Sequence, residues 1–240
     1  MNLSPPAIAL RNVELVYTDR VAVHGLSGDF TPGSLTAVIG PNGGGKSTLL
    51  AALAGLLRPS RGSIAFAGGD APDIAYLPQD VSLDRAFPIS VTDLVAFGLW
   101  RRTLGRAESA AAVNGAIAAV GLSGLETRSV GSLSGGQLQR ALLARLLVQD
   151  APVVLLDEPL SSVDPQTEET VLQLIARWHA DGRTVIVALH DVAHVSDLFP
   201  TTLFLDGAPV AWGPTADVLA AHPLAPPTSA ADRFHRLAAA

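Results

Sequence analysis

Lys46 is the only lysine in this 240-residue chain, and the other fifteen basic residues are arginine. It lies in GPNGGGKST, residues 40–48. Gly40, Gly45, Lys46 and Ser47 fit G-x-x-x-x-G-K-[ST], the spacing of a loop that cradles phosphates. Gly43, Gly44 and Gly45 let the backbone take conformations closed to residues with a Cβ. Its N–H groups can then turn inward on phosphate oxygens, with the partial positive charge of a helix N-terminus behind them. Ser47 supplies a hydroxyl to Mg²⁺, and Pro41, Asn42 and Thr48 belong to the same nucleotide-contacting loop. Lysine is a compact point charge on a flexible stem, whereas arginine carries a planar fork. Inside a tight loop an ammonium reaches β- and γ-phosphates where a guanidinium is too wide. The arginine bias therefore stops at the position where the swap fails chemically.

A second constellation is VVLLDEP, residues 153–159, an apolar strand ending in two acids. In an open α/β sheet that strand end is where ligands bind. Asp157 can hold Mg²⁺ through its water shell, and Glu158 can polarise an attacking water as general base. A solvated acidic strand end would read the same in isolation; the phosphate loop upstream favours the catalytic reading. A third stretch is LSGGQ, residues 133–137. Ser134, Gly135 and Gly136 open a helix that continues QLQRALLARLLVQ, a second phosphate cradle by the same physics. One chain hardly needs two cradles for one nucleotide, so this one is read as serving a nucleotide held by a second copy.

The elements that must position these groups follow from pattern. LTAVI before the loop is a strand, and STLLAALAGLL after it is an apolar helix. Residues 8–39 alternate short apolar stretches with turn residues, as strands do. Residues 80–150 are mostly helical in pattern, rich in alanine and leucine. In DPQTEETVLQLIARWHADG, Asp164 is an N-cap, Pro165 the first helical residue and Gly182 the stop. TVIVALH is another strand, and DVAHVSDLF begins another helix. Strand, helix, strand in that order implies a parallel sheet.

Composition bounds the function. The net charge of −6 argues against a nucleic-acid binder. There is no cysteine, hence no disulfide framework and no thiolate metal site. No run approaches the ~18 apolar residues of a membrane span, and MNLSPPAIAL lacks the pattern of a signal peptide. His190 and His194 are spaced as metal ligands on a helix could be, but no third ligand stands nearby in sequence, and a metal site is rejected. The tail, 225–240, is rich in proline and alanine and expected to pack poorly.

With the loop, the signature LSGGQ and the acid-ended strand in this order, the sequence resembles the ABC-type ATPases, the nucleotide-binding subunits of ATP-driven transporters. The resemblance runs from about Ile8 to Leu219. It implies an α/β P-loop NTPase fold with a parallel-sheet core, an antiparallel β subdomain and a helical signature subdomain. A single ATPase domain is expected over 1–224, its helical part at about 80–138. The resemblance also implies roles residue by residue. Tyr17 matches the aromatic that stacks on adenine, a contact of ~1–3 kcal/mol in nucleic-acid systems; a core strand tyrosine is the alternative. Gln79 in YLPQD matches the glutamine that reaches Mg²⁺ and the attacking water. His190 matches the switch histidine on the γ-phosphate, although a lone histidine ending a strand is more often structural. Asp164 in SSVD matches the loop that signals across a dimer; Ser162 and Val163 depart mildly from the family's alanine and leucine. Ser134, Gly135, Gly136 and Gln137 join Asp164 as contacts to the partner's ATP.

ABC ATPases of DNA repair carry coiled coil between loop and signature, but only 87 positions separate Lys46 from Leu133 here and no heptad run is visible. Translation-associated ABC factors carry two cassettes, and this chain has one. FPISVTDLVAFGLWRR, from Phe87, and LHDVAHVSDLF followed by VAWGPTADVL resemble segments of zinc, manganese and iron importer ATPases. The implied assembly is a homodimer at the cytoplasmic face of the cell membrane, bound to an integral permease and working with an extracytoplasmic metal receptor. Zinc is the first expectation for the cargo and manganese the second. Siderophore and haem importers are the runner-up. ATP and Mg²⁺ are the implied substrate and cofactor.

Overall fold

The computed structural model describes residues 5–79, 88–161, 163–190 and 195–222. The tail at 225–240, His194, Ser162 and residues 80–87, which include Phe87, lie outside the described residues.

Strands β1 (Ile8–Tyr17), β2 (Arg20–Phe30) and β4 (Arg61–Phe66) form an antiparallel sheet in the order β2-β1-β4. A six-stranded sheet joins β5 (Ile74–Leu77), β6 (Val153–Asp157), β7 (Thr184–Ala188), β3 (Leu35–Ile39), β8 (Thr201–Asp206) and β9 (Ala208–Pro214) in that spatial order. It is parallel from β5 through β8, with β9 antiparallel at its edge. The helices are α1 (Lys46–Leu53), α2 (Val91–Ala96), α3 (Arg106–Ala119), α4 (Gly135–Gln149), α5 (Pro165–Ala180), α6 (Val195–Leu198) and α7 (Thr215–Ala221). None of the described helices is long and apolar enough to cross a membrane.

Every residue of β3, β6 and β7 is buried, which explains their unbroken apolar runs: a parallel strand is covered on both faces. The pleat then sorts alternate side chains into two cores. Ala37, Ile39, Val154, Leu156, Val185 and Val187 face a core shared with α2 to α5. Val38, Leu155, Ile186 and Ala188 face one shared with α1 and the antiparallel sheet. Trp178 of α5 is the largest fully buried side chain, and removing such a group costs about 3–5 kcal/mol.

Helix ends follow the sequence, with one correction. Asp164 caps α5 by accepting from the Thr167 N–H at 3.0 Å, Pro165 is its first residue, and Gly182 follows at φ 78°. The helix read as STLLAALAGLL stops at Leu53 instead. Gly55 adopts φ 76°, and the Gly55 and Leu56 N–H groups fold back to the Ala52 and Ala51 carbonyls. That is a left-handed glycine stop, and it leaves Leu56 exposed.

The parallel strands bring one edge together. The chain leaves β3 into Gly40, β5 toward Gln79, β6 into Glu158 and β7 toward His190. Four groups far apart in sequence thus gather at the carboxyl end of adjacent strands, where open α/β sheets bind ligands.

Candidate functional site

The loop between β3 and α1 needs its glycines for two reasons. Gly43 and Gly45 have φ 81° and 93°, conformations that cost residues with a Cβ. Gly44 does not; there the requirement is room, because a Cβ would stand 2.8 Å from the Leu205 carbonyl. The expected backbone freedom of all three glycines is therefore corrected to two. The Gly44 carbonyl accepts the Gly207 N–H at 3.0 Å, which ties the loop to the turn after β8.

Lys46 opens α1 and is 4% exposed. Its Nζ donates to the Gly40 carbonyl at 2.9 Å and the Pro41 carbonyl at 3.1 Å. Glu158 Oε1 lies 4.0 Å away. Burial pushes the ammonium below its usual pKa, against the opposing pull of Glu158 and Asp157. An ammonium has three hydrogens to donate, and these carbonyls take two. A buried cation with a donor to spare, in a loop turned by left-handed glycines at Gly43 and Gly45, fits a polyphosphate.

Asp157 is 2% exposed and accepts from Ser47 Oγ at 3.0 Å. Burial raises its pKa; the Ser47 hydrogen bond works against that, Glu158 adds to it, and Lys46 and the Gln79 backbone oppose it. A desolvated carboxylate beside a hydroxyl is an oxygen donor set for a hard cation that keeps most of its own water. Ser47 and Asp157 fit Mg²⁺ in that way, with Gln79 close by. Among the described residues no group of three or more His, Cys, Asp and Glu is placed to hold a metal by itself. Tyr76, on the neighbouring strand, has its phenol pushed up to about 12 by burial and by Asp157.

Glu158 takes φ 48°, unusual for a residue with a side chain, and strain of this kind gathers at functional sites. Its N–H donates to the Ala188 carbonyl at 3.0 Å. Oε2 accepts from Gln79 Nε2 at 2.8 Å and from Ser161 Oγ at 3.2 Å. One carboxylate oxygen is thus tethered twice, while the other faces Lys46. An anchored carboxylate with one oxygen toward the phosphate loop can accept a proton from water.

Lys46, Gln79, Glu158 and Ser161 share a cavity of about 880 Å³, lined also by Tyr17, Arg20 and His190, while Asp157 and Tyr76 do not line it. Asn42, Gly43, Gly45, Ser47 and Thr48 line it too; Gly40, Pro41 and Gly44 do not. Tyr17 is 63% exposed, so the core-tyrosine alternative fails. It ends β1 opposite Arg20, across a turn in which Thr18 and Asp19 have φ 45° and 63°. Buried Leu189 precedes His190, whose ring is exposed to the cavity. Sequence reasoning missed Arg20 and Ser161. Ser161 had a signal, a hydroxyl three positions after Glu158 in a stretch already singled out for Asp164.

Ser134, Gly135, Gly136, Gln137 and Asp164 do not line this cavity. Ser134 caps α4 in a reciprocal box: its Oγ accepts from the Gln137 N–H at 3.2 Å, and Gln137 Oε1 accepts from the Ser134 N–H at 3.1 Å. The N-terminus of α4 stands as a separate, finished helix start.

Residues 23–161 match the family described as ABC transporter. The manganese transport system ATP-binding protein MntA of Synechocystis sp. is 34% identical, over 90% of this chain and 87% of its own. The chelated iron transport system membrane protein YfeB of Yersinia pestis is 33% identical, over 87% of this chain and 74% of its own. Among solved structures, cbiO1 of Clostridium perfringens, part of the ABC transporter complex cbiONQ, superposes with a TM-score of 0.76 at 28% identity, over 90% and 91% of the two chains.

Proposed function

Because the chain belongs to the ABC transporter family and carries that family's ATP-hydrolysing machinery, we propose that it drives metal uptake through a separate membrane permease. Manganese is the first cargo in this reading, from the Synechocystis relative; chelated iron is the second, from the Yersinia relative. Zinc, the first expectation from the sequence, has less behind it and becomes an arm of the test.

One observation carries the mechanism: Lys46, Gln79, Glu158 and His190 meet in one cavity while Ser134 to Gln137 stand outside it. Two copies therefore pair head to tail. Each ATP lies between Gly40 to Thr48 of one chain and Ser134 to Gln137 with Asp164 of the other. Tyr17 stacks on the base. Lys46 turns from the Gly40 and Pro41 carbonyls to the phosphates. Ser47 and Asp157, with Gln79, would hold Mg²⁺, which when bound neutralises phosphate charge. Glu158 takes a proton from the attacking water, held by Gln79 and Ser161, and His190 stabilises the γ-phosphate. Most of the rate comes from positioning and charge stabilisation. We read residues 1–224 as one ATPase unit with its helical part at about 80–138. The permease docks on the stretch from Phe87 to Trp100, where Phe97 is 57% and Trp100 89% exposed. The unit sits peripherally at the cytoplasmic face, and a metal receptor on the far side acts through the permease.

The test is ATPase activity of the reconstituted complex with receptors added one at a time. Stimulation by a manganese-loaded receptor is expected. Stimulation by a chelate-loaded receptor would promote iron, and by a zinc-loaded one, zinc. Stimulation only by sugar- or amino-acid-loaded receptors would end the metal reading.

A further inference from the structure

A second cavity, of about 370 Å³, is lined by residues of α3, the end of α4 and the end of α5, and it shares no lining residue with the cavity of Lys46 and Glu158. Its charges do not balance. Arg102, Arg177 and Arg183 line it together with Asp150 and Asp181. Asp150 accepts from Arg183 Nη2 at 2.7 Å and lies 3.5 Å from Arg102 Nη2, while Asp181 stands 3.8 Å from Arg183 Nη2. Two guanidiniums thus account for both carboxylates. Arg177, exposed in the last turn of α5, has no hydrogen-bond or ion-pair partner among the described residues. Arg183 is 7% exposed, and its Nε has no partner among them either. Three guanidiniums against two carboxylates leave one positive charge over, on a planar fork whose shape matches a carboxylate.

The rest of the wall is apolar. Trp178 comes from α5 and Leu147 from α4. From α3 come Ala112, Gly115, Ala116 and Ala119, a spacing that shares one helix face. Gly115 separates this wall from ordinary packing. It lies inside α3, where glycine weakens a helix relative to alanine. Its φ is not left-handed, and a Cβ on it would meet no atom within 4 Å. Neither the backbone nor a neighbouring atom requires glycine at 115. What a side chain there would take up is the cavity.

We propose that this cavity binds a small organic monoanion, a carboxylate with a compact apolar body. Arg177 takes the carboxylate, and Trp178, Leu147 and the small-residue face of α3 enclose the body. One negative charge matches the one surplus guanidinium. Inorganic phosphate, more highly charged and without an apolar part, matches neither half of the wall. The volume falls within the range of small-molecule pockets.

The test uses the full chain without nucleotide and three probes, benzoate, phenylacetate and hexanoate, read by the indole N–H resonances in NMR spectra. The chain has three tryptophans, Trp100, Trp178 and Trp212, and of these Trp178 lines the cavity. Trp100→Phe and Trp212→Phe assign the three signals. Phenylacetate is expected to shift the Trp178 resonance saturably, with a Kd of about 1 mM or below, a range open to a ligand of about ten heavy atoms. The other two resonances stay in place. Phenylacetamide, which is neutral and of the same shape, and inorganic phosphate should each bind about tenfold more weakly or worse, the scale of one lost charged hydrogen bond. Arg177→Gln, an exposed change that leaves the fold intact, should weaken phenylacetate by about as much. Gly115→Leu fills the space without touching a charge and should abolish the shift while circular dichroism stays unchanged. No movement of the Trp178 resonance with any of the three carboxylates at ~10 mM, about ten times the expected Kd, would overturn the inference. So would an equal shift from phenylacetamide, or a shift that survives both Arg177→Gln and Gly115→Leu.

Discussion

At the start of α1, Gly45 is left-handed, Lys46 is buried, Ser47 bonds Asp157, and Gln79 bonds Glu158 at the edge of a cavity. At the start of α4, the backbone is ordinary, the cap is closed by Ser134 and Gln137, and its residues do not line that cavity. Both are glycine-bearing helix N-termini able to receive phosphate. The first brings a buried cation, the Ser47–Asp157 pair and the anchored Glu158 carboxylate together within one chain. The second has donors only. Equal motif strength in sequence thus conceals unequal chemistry, and in the proposed function the helix start with donors alone is the one completed by a partner.

The contrast breaks most easily at the base. Glu158→Gln keeps the Gln79 contact region and the shape but loses basicity. Its ATP turnover should fall by ~10²–10⁴, the usual worth of general base catalysis, while ATP still binds and a closed dimer accumulates on size-exclusion chromatography. Parental turnover would move the role of base to His190. Lys46→Arg comes next: hydrolysis should drop to background and nucleotide binding weaken, with circular dichroism unchanged because the loop is outside both cores. Unchanged turnover would defeat the account of why one lysine persists.

A smaller effect sharpens the first region. Ser161→Ala removes one of two tethers on Glu158 Oε2, and a hydrogen bond of about 1 kcal/mol corresponds to a roughly three- to tenfold loss in kcat with KM held. A rise in KM alone would put Ser161 in nucleotide binding instead. The smallest effect belongs to the second region. The pKa of Asp164 is lowered by Thr167, so its contribution to stability is full above the unfolded-state pKa and lost as pH falls through the lower folded value. The melting advantage of the parent over Asp164→Ala should therefore shrink as pH falls through the carboxylate range. An advantage independent of pH would mean the ionised carboxylate does not matter there.

Much of the first region was legible because its causes are local. A strand, a glycine loop and an apolar helix adjoin in sequence, and the strand ending in Asp157 and Glu158 declares its own burial. Asp164 as N-cap was legible for the same reason. The rest is tertiary. Gly44 is glycine because Leu205, far along the chain, passes over it. Gly136 is glycine because Asp164 and Thr167, at the start of α5, lie against it. Ser161 becomes a tether only because Glu158 takes φ 48° and turns its carboxylate back. The early stop of α1 at Gly55 was readable, but the apolar residues beyond it hid the signal.

The central claim, that each working site takes its loop from one chain and its signature from another, is tested most directly by mixing two inactive variants. Lys46→Ala lacks a working loop but keeps its signature; Ser134→Arg keeps its loop but blocks its signature. A mixed dimer holds one site with both parts intact. ATPase activity is expected from the mixture and from neither variant alone. A mixture that stays inactive while mixed dimers demonstrably form, or full activity from Ser134→Arg by itself, would contradict the account.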